Sequence, residues 1–125
     1  MTSALLEFPC IDGVDTLQGL RSVGGNSAVY HRLLLVFGDQ HEGDAARLAA
    51  LLAAGRRVDA ARLVHKLRGS ALVLGVVLIE GEAEKIERGL SRFTQVQCDA
   101  AVEALGRSLA AVAASIRRVL STSGG

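Results

Sequence analysis

The fold is decided by residues 94–121, which read TQVQCDAAVEALGRSLAAVAASIRRVLS. Apolar residues recur in this stretch at intervals of four and three: Cys98, Val102, Leu105, Leu109, Val112, Ile116 and Leu120. These intervals put all seven side chains on one face of an α-helix, the pattern of a helix packed in a bundle. The sequence therefore predicts a long last helix whose apolar face contributes to a core. A dimer interface is the alternative use of that face.

The composition of the whole chain also favours closely packed helices. Half of the 125 residues are hydrophobic but only 3% are aromatic, and the single Pro is Pro9. Ala, Leu and Val supply most of the apolar volume, and Ala is the best helix former. The length fits one domain. We therefore expect an all-α fold, an antiparallel up-and-down four-helix bundle with one or two additional short N-terminal helices, and exclude an all-β fold.

Polar caps and glycines divide the chain into helices. We expect three segments, namely a lead-in at 1–10, a helical bundle at 11–121 and a tail at 122–125. The residues placed to cap helix N-termini are Asp12, Asn26 and Asp44. The helix after Asn26 is expected to end at Phe37, and the helix after Asp44 at Gly55. The next two helices are predicted at 57–74 and 76–90, with Gly75 between them.

Charge and hydropathy exclude several classes of protein. A net charge of +1 gives no general attraction to nucleic acid or anionic lipid. The longest strongly apolar stretch, residues 71–79, is shorter than the roughly 20 residues of a membrane-spanning helix. The N-terminus lacks the pattern of a secretory signal, so we expect a cytoplasmic protein. Cys10 and Cys98 are expected to be free thiols packed as small hydrophobic residues, and His31 and His41 to be exposed or interfacial. We expect no metal site.

The helix predicted at 57–74 carries a histidine on the side away from the core. At about 100° per residue, one side gathers the residues expected to face the core, which are Ala60, Leu63, Leu67, Ser70, Ala71 and Leu74. His65 lies almost opposite them and is expected to project into solvent. Glycine in an exposed helix interior costs roughly 0.5 to 1 kcal/mol relative to Ala, so Gly69, one turn after His65, needs an explanation. A missing side chain there would let the backbone of another protein approach the imidazole.

The predicted surroundings of His65 suit a docking partner and an anionic group. Leu72, Val73 and Val76 are predicted to form an exposed apolar area typical of a partner-docking surface, to which Arg62 and Gly69 also belong. An exposed neutral imidazole is a nucleophile, and neighbouring cations would stabilise an anionic adduct. A phosphoryl group brings roughly −1.5 to −2 charge. Its predicted partners are, in order of placement, Arg68, Lys66 and Arg62.

The charge of +1 hides a local polarity. Residues 56–68 contain five basic residues against one acidic residue. Residues 80–87 contain four acidic residues against one basic residue. The sequence thus predicts a basic helix that carries the histidine, followed by an acidic one.

Residues 64–75 read VHKLRGSALVLG and resemble the signature of histidine phosphotransfer (HPt) domains. In that signature a phosphorylatable His is followed by a basic residue at +3, Gly at +4, Ser at +5 and Gly at +10. The matching positions are His65, Arg68, Gly69, Ser70 and Gly75. The resemblance covers roughly residues 9–121. It departs from the usual pattern at Arg68, where Lys is more common, and at Val64, where Ala is more common.

The resemblance implies a bundle that carries a phosphoryl group between aspartates of receiver domains through His65, usually on Nε2. It implies a carrier and not a kinase, without a cofactor of its own, and the sequence contains no Walker loop. The Mg²⁺ would belong to the docked receiver. The implied partners are the receiver domains of a hybrid sensor kinase and of a response regulator, with a monomer that contacts neither nucleic acid nor membrane. At +22, where some members orient the imidazole with a polar side chain, this sequence has Glu87.

Three other interpretations of His65 compete with this one. It could be an ordinary surface histidine, which the neighbouring Arg68 and Gly69 argue against. The bundle could also dock a receiver without accepting phosphate. A histidine-kinase dimerisation helix is less favoured, because Lys66 stands where Glu is usual, no Pro follows, and the stretch after His65 is short for an ATP-binding domain. The sequence leaves open whether the domain is free-standing or the C-terminal module of a membrane-bound sensor kinase.

Overall fold

The structure, a computed structural model, describes residues 8–123, with side chains described as far as Ser121. It contains six helices in this range, namely α1 (Thr16–Ser22), α2 (Ser27–His41), α3 (Asp44–Ala53), α4 (Arg57–Leu74), α5 (Val77–Gly89) and α6 (Gln95–Ser123). The described residues form no strand, only an isolated bridge between Ile11 and Val14. The all-α prediction is confirmed. Most of the predicted lead-in (1–7) and the end of the predicted tail (124–125) lie outside the described residues.

The bundle has four arms, each consisting of one helix or of two consecutive helices, and each arm packs against two others. α4 packs against α5, α5 against α6, and α6 against both α2 and α3, which pack in turn against α4. α2 and α3 therefore act together as one arm. The short α1 packs against α4 and α2. This is the predicted four-helix bundle with one short additional helix before it.

Pairs of residues across the helices establish that neighbouring arms are antiparallel. Arg57, at the start of α4, donates a hydrogen bond to the carbonyl of Leu90, just after α5. Ser108, in the middle of α6, donates to Glu82 in the middle of α5 at 2.7 Å, and Ile86, which follows Glu82, lines a groove with Ala101, which precedes Ser108. The connections between these helices are a few residues long, as antiparallel neighbours require. All seven predicted core residues of α6 are buried, with at most 6% of any one exposed.

The chain enters α1 later than the cap pattern predicts. Asp12 was the expected cap, but Asp15 fills that role and its Oδ1 accepts from the backbone N–H of Gln18 at 3.1 Å. Residues 11–14 instead form a tight turn in which Val14 donates to the Ile11 carbonyl, and Gly13 has a left-handed φ of 82°. A helix cannot begin before this turn is complete.

The joint between α2 and α3 also differs from the prediction. α2 continues past Phe37 to His41, and Asp44 is the first residue of α3 while Gly43 occupies the cap position. The Asp44 carboxylate binds His41 Nδ1 at 2.7 Å instead of capping a helix. The expectation that His41 is exposed or interfacial is therefore wrong, since it is 7% exposed. A buried imidazole is tolerated here because it has a charged partner and packs against the Phe37 ring.

Other predicted details of the helix cap and the glycine turns are confirmed. Asn26 caps α2, and its Oδ1 accepts from the backbone N–H of Val29 at 3.0 Å. Gly55 and Gly75 adopt left-handed φ values of 74° and 73° after α3 and α4. Both cysteines are free thiols and Cys98 is buried, but the prediction that Cys10 is packed is wrong, since it is exposed. Across residues 8–123, no helix combines the length and apolarity needed to cross a membrane.

The end of α4 is fixed by α1 and α2. The Tyr30 hydroxyl of α2 donates to the Leu74 carbonyl at 2.6 Å in a buried position. Burial and the nearby charge of Asp15 raise the pKa of Tyr30, so the hydroxyl keeps its proton and remains a donor. Gly19 of α1 lies so close that a Cβ would overlap both the Tyr30 hydroxyl and the Leu74 carbonyl. The three helices meet at this junction.

Candidate functional site

His65 lies near the middle of α4 and points away from the core. Its side chain is 74% exposed, as the sequence predicts. The buried residues of α4 are Ala60, Val64, Leu67, Ala71 and Leu74. The buried stripe is thus centred between Val64 and Leu67. Leu63 and Ser70, which were expected to face the core, lie at its margin and are partly buried.

The imidazole of His65 is held by a carboxylate of the neighbouring helix. The distance from His65 Nδ1 to Glu87 Oε2 is 2.8 Å. An ionised carboxylate can only accept hydrogen bonds, so Nδ1 must carry the proton. In the neutral imidazole this leaves the free lone pair on Nε2. The structure therefore brings together two of the residues singled out from the sequence and leaves the lone pair of the neutral ring on Nε2.

The charge of Glu87 is maintained by its two partners. Partial burial alone would raise the pKa of Glu87, but hydrogen bonds from His65 and Arg68, together with their charges, lower the pKa below its usual value. Glu87 is thus ionised at neutral pH. A carboxylate in this position orients the ring and stabilises positive charge that develops on it.

The Arg68 guanidinium lies between two glutamates of α5. Its Nη1 donates to Glu87 Oε1 at 3.1 Å, and this hydrogen bond is the main reason that the pKa of Arg68 is raised. Its Nε lies 3.6 Å from Glu80 Oε2, beyond hydrogen-bond range. The sequence reasoning missed Glu80. The available signal was spacing, because Glu80, Glu84 and Glu87 recur at four and three and so share one face of α5.

Arg62 and Lys66 are exposed on α4. The Arg62 guanidinium lies 3.9 Å from the Asp59 carboxylate, a loose contact at the surface. Neither residue has a hydrogen bond or ion pair with His65 or Glu87 among the contacts of the described residues. Both cations remain available to a partner on this face.

The surface beyond His65 is open and partly apolar. Gly69 is exposed, and a Cβ added there would meet nothing within 4 Å, so packing inside the protein does not require glycine. Leu72 and Val73 are 54% and 52% exposed. A shallow groove joins this surface to α2, and its lining residues are Leu33, Gly69, Ser70, Val73 and Leu74.

Val76 does not belong to the exposed surface, contrary to prediction. It is completely buried and precedes α5, where its carbonyl accepts from the backbone N–H of Glu80 at 2.9 Å. The left-handed turn at Gly75 ends α4, so the angular positions of α4 cannot be extended to Val76. Val77, the next residue, is 50% exposed.

In the described part of the chain, no three His, Cys, Asp or Glu side chains are grouped so as to hold a metal ion. A family model described as Hpt domain matches residues 32–120, from α2 to the end of the α6 core face. The matched range contains His65, Arg68 and Glu87. No match was found among curated proteins or among solved structures.

Proposed function

Because the chain belongs to the Hpt domain family, we propose that it is a phosphorelay intermediate that carries a phosphoryl group on His65. The group would come from an aspartate of one receiver domain and pass to an aspartate of another. The observation that carries this proposal is the exposed His65 whose Nδ1 is hydrogen-bonded to an ionised Glu87 at 2.8 Å. Membership in the family assigns the chain to histidine phosphotransfer in two-component systems.

The proposed step is an in-line displacement at phosphorus. The lone pair of His65 Nε2 forms a bond to the phosphorus of the aspartyl phosphate, and the P–O bond to the aspartyl oxygen breaks. The aspartate leaves as a carboxylate with the electron pair. Because Nδ1 keeps its proton, the ring gains positive charge, which the Glu87 carboxylate stabilises. In the second transfer the protonated ring is a good leaving group for the reverse displacement on the next aspartate.

The cations on α4 offset the charge of the phosphoryl group. Glu87 favours the cationic ring but repels the phosphoryl oxygens, which bring roughly −1.5 to −2 charge. Arg68 is hydrogen-bonded to Glu87, which also holds His65, and Lys66 is exposed on the same helix. We assign both residues to stabilisation of the phosphohistidine, with Glu87 as the group that orients the ring.

The docking face is assigned to the exposed residues around His65. Gly69 allows the receiver backbone to approach, Leu72 and Val73 supply apolar contact area, and Arg62 adds a cation at the other side. The receiver would contribute the Mg²⁺ and the aspartate. The proposed partners are receivers of a hybrid sensor kinase and of a response regulator, with the protein acting as a monomer in the cytoplasm and without kinase activity.

The test is transfer of radiolabelled phosphate from phosphorylated receiver domains of the same organism. We expect label to appear on the wild-type protein and to be absent from His65→Gln. His31→Gln is the matched control, since His31 is a histidine of α2 outside the site. Label retained by His65→Gln would contradict the site. Receiver binding without any labelling of the wild type would support the docking adaptor instead.

A further inference from the structure

Arg68 has an unused hydrogen-bond donor next to a second carboxylate. Its Nε is buried and has no hydrogen-bond partner, while its Nη1 is bonded to Glu87. Glu80 Oε2 lies 3.6 Å from this Nε, and the Glu80 side chain is only 22% exposed. A buried donor that stops short of a carboxylate is an incomplete arrangement, which a small movement of the guanidinium would complete.

Glu80 is distinguished from the other glutamates of α5 by its contacts. Glu82 accepts from Ser108 on α6 at 2.7 Å, and Glu84 is paired with Arg88 at 2.9 Å. In the described contacts, only Glu80 and Glu87 hold the Arg68 guanidinium. Arg68 therefore lies between one carboxylate that also holds His65 and one that does not.

Phosphorylation of His65 changes what surrounds Arg68. The phosphoryl group adds negative charge and three acceptor oxygens one helical turn away from Arg68. The guanidinium is a planar fork that binds such oxygens well. The bond from Nη1 to Glu87 Oε1 competes with this new contact, whereas the Glu87 Oε2 bond to His65 Nδ1 does not involve Arg68.

We propose that Glu80 is a positioning residue for Arg68: on phosphorylation, Arg68 releases Glu87, donates through its Nη groups to the phosphoryl oxygens and closes its Nε onto Glu80. This inference rests on the proposed function and deepens it. The exchange replaces the hydrogen bond lost at Glu87 with one gained at Glu80, so that turning toward the phosphoryl group leaves no new donor unsatisfied. Glu80 thereby orients Arg68 toward the phosphoryl group without contacting His65.

The first test compares phosphohistidine lifetimes in three variants. Phosphoramidate, a small-molecule phosphodonor, would load the proteins, so that no receiver is needed. We expect Glu80→Gln to shorten the half-life of the phosphohistidine about tenfold, the effect of losing one charge-assisted hydrogen bond. Glu80→Asp keeps the charge but shortens the side chain, and we expect the same loss. Glu84→Gln is the matched control, and we expect it to leave the half-life unchanged. The Glu84 charge also raises the pKa of Arg68, but the Glu84 side chain is paired with Arg88.

The second test follows the Arg68 Nε–H directly by NMR. In the wild type we expect its proton resonance to move downfield on phosphorylation, as the bond to Glu80 forms, and Glu80→Gln to reduce this shift, because an amide oxygen is a weaker acceptor than a carboxylate. Unchanged Nε–H resonances in the wild type, or equal lifetimes in wild type and Glu80→Gln, would overturn the inference while leaving the carrier function intact. A wild-type protein that neither receivers nor phosphoramidate label on His65 would refute both. Thermal unfolding of each variant verifies the fold.

Discussion

At the scale of single residues, one carboxylate determines the tautomer of His65. Glu87 accepts a hydrogen bond from His65 Nδ1 and is itself kept ionised by His65 and Arg68. On the proposed function, the sign of its effect would differ between the two parts of the phosphohistidine. The carboxylate would stabilise the cationic ring and destabilise the phosphoryl group. Such a residue would favour rapid transfer over long storage.

Replacing Glu87 with Gln should therefore separate rate from lifetime. The amide oxygen can still accept from Nδ1, but the negative charge is gone. We expect acceptance from a receiver to slow about tenfold and the phosphohistidine to live longer, both measured with radiolabelled phosphate. Glu82→Gln on the same helix is the control. Faster acceptance, or a shorter lifetime, would contradict the assigned role.

The same change should alter the pH dependence of stability. Because the pKa of Glu87 is lowered in the folded protein, the carboxylate is protonated only as the pH falls below its ordinary range. The contribution of Glu87 to the free energy of unfolding is thus present above that range and is lost as the pH falls through the folded-state pKa. Urea denaturation at a series of pH values should show this acidic loss in the wild type, and Glu87→Gln should lack that part of it.

At the scale of elements, α4 and α5 each contain a glycine that packing does not require. A Cβ at Gly69 or at Gly81 would meet nothing within 4 Å, and both residues lie inside helices. Alanine has the higher helix propensity, so either glycine weakens its helix. At Gly81 no reason is evident in the structure. At Gly69 the reason proposed is the approach of a partner to His65.

The two glycines therefore make a matched pair of variants. We expect Gly69→Ala and Gly81→Ala each to raise the free energy of unfolding by roughly 0.5 to 1 kcal/mol, measured by urea denaturation. Only Gly69→Ala should slow transfer from a receiver. If transfer is equally fast in both variants, close approach at Gly69 is not needed.

Regular periodicity is what made these elements predictable. The spacing within α6 and within α4 depends only on helix geometry, so the α6 core face and the exposure of His65 followed from the sequence. Val76 was misplaced because it follows the left-handed turn at Gly75, after which the direction of the chain is unrelated to α4. The pairing of Arg68 with Glu80 depends on how α4 and α5 lie side by side, and no local pattern specifies that.

At the scale of the whole molecule, the end of α4 depends on two other helices. Gly19, Tyr30 and Leu74 meet where α1, α2 and α4 converge, and the Tyr30 hydroxyl satisfies the last carbonyl of α4. The buried pair of His41 and Asp44 joins α2 to α3 in a similar way. Contacts of this kind link segments through the fold. The sequence showed their residues but not their partners.

Gly19→Ala tests how much the bundle depends on this junction. The added methyl would overlap a backbone carbonyl, which cannot move aside as a flexible side chain would. We expect a loss of about 1 to 3 kcal/mol in the free energy of unfolding, measured by thermal denaturation. Gly81→Ala, where the space is open, is the control, and an unchanged melting temperature for Gly19→Ala would contradict the close packing.

The position of His65 on the outer side of α4 has a consequence for how two receivers can bind. A single exposed histidine on one face of α4, with Gly69 and Leu72 beside it, can serve only one receiver at a time. On the proposed function, donor and acceptor are therefore competitors, and the first must dissociate before the second binds. An excess of either receiver would occupy the shared surface and slow phosphoryl transfer. The abundance of the carrier relative to its two receivers would then control the rate of the pathway.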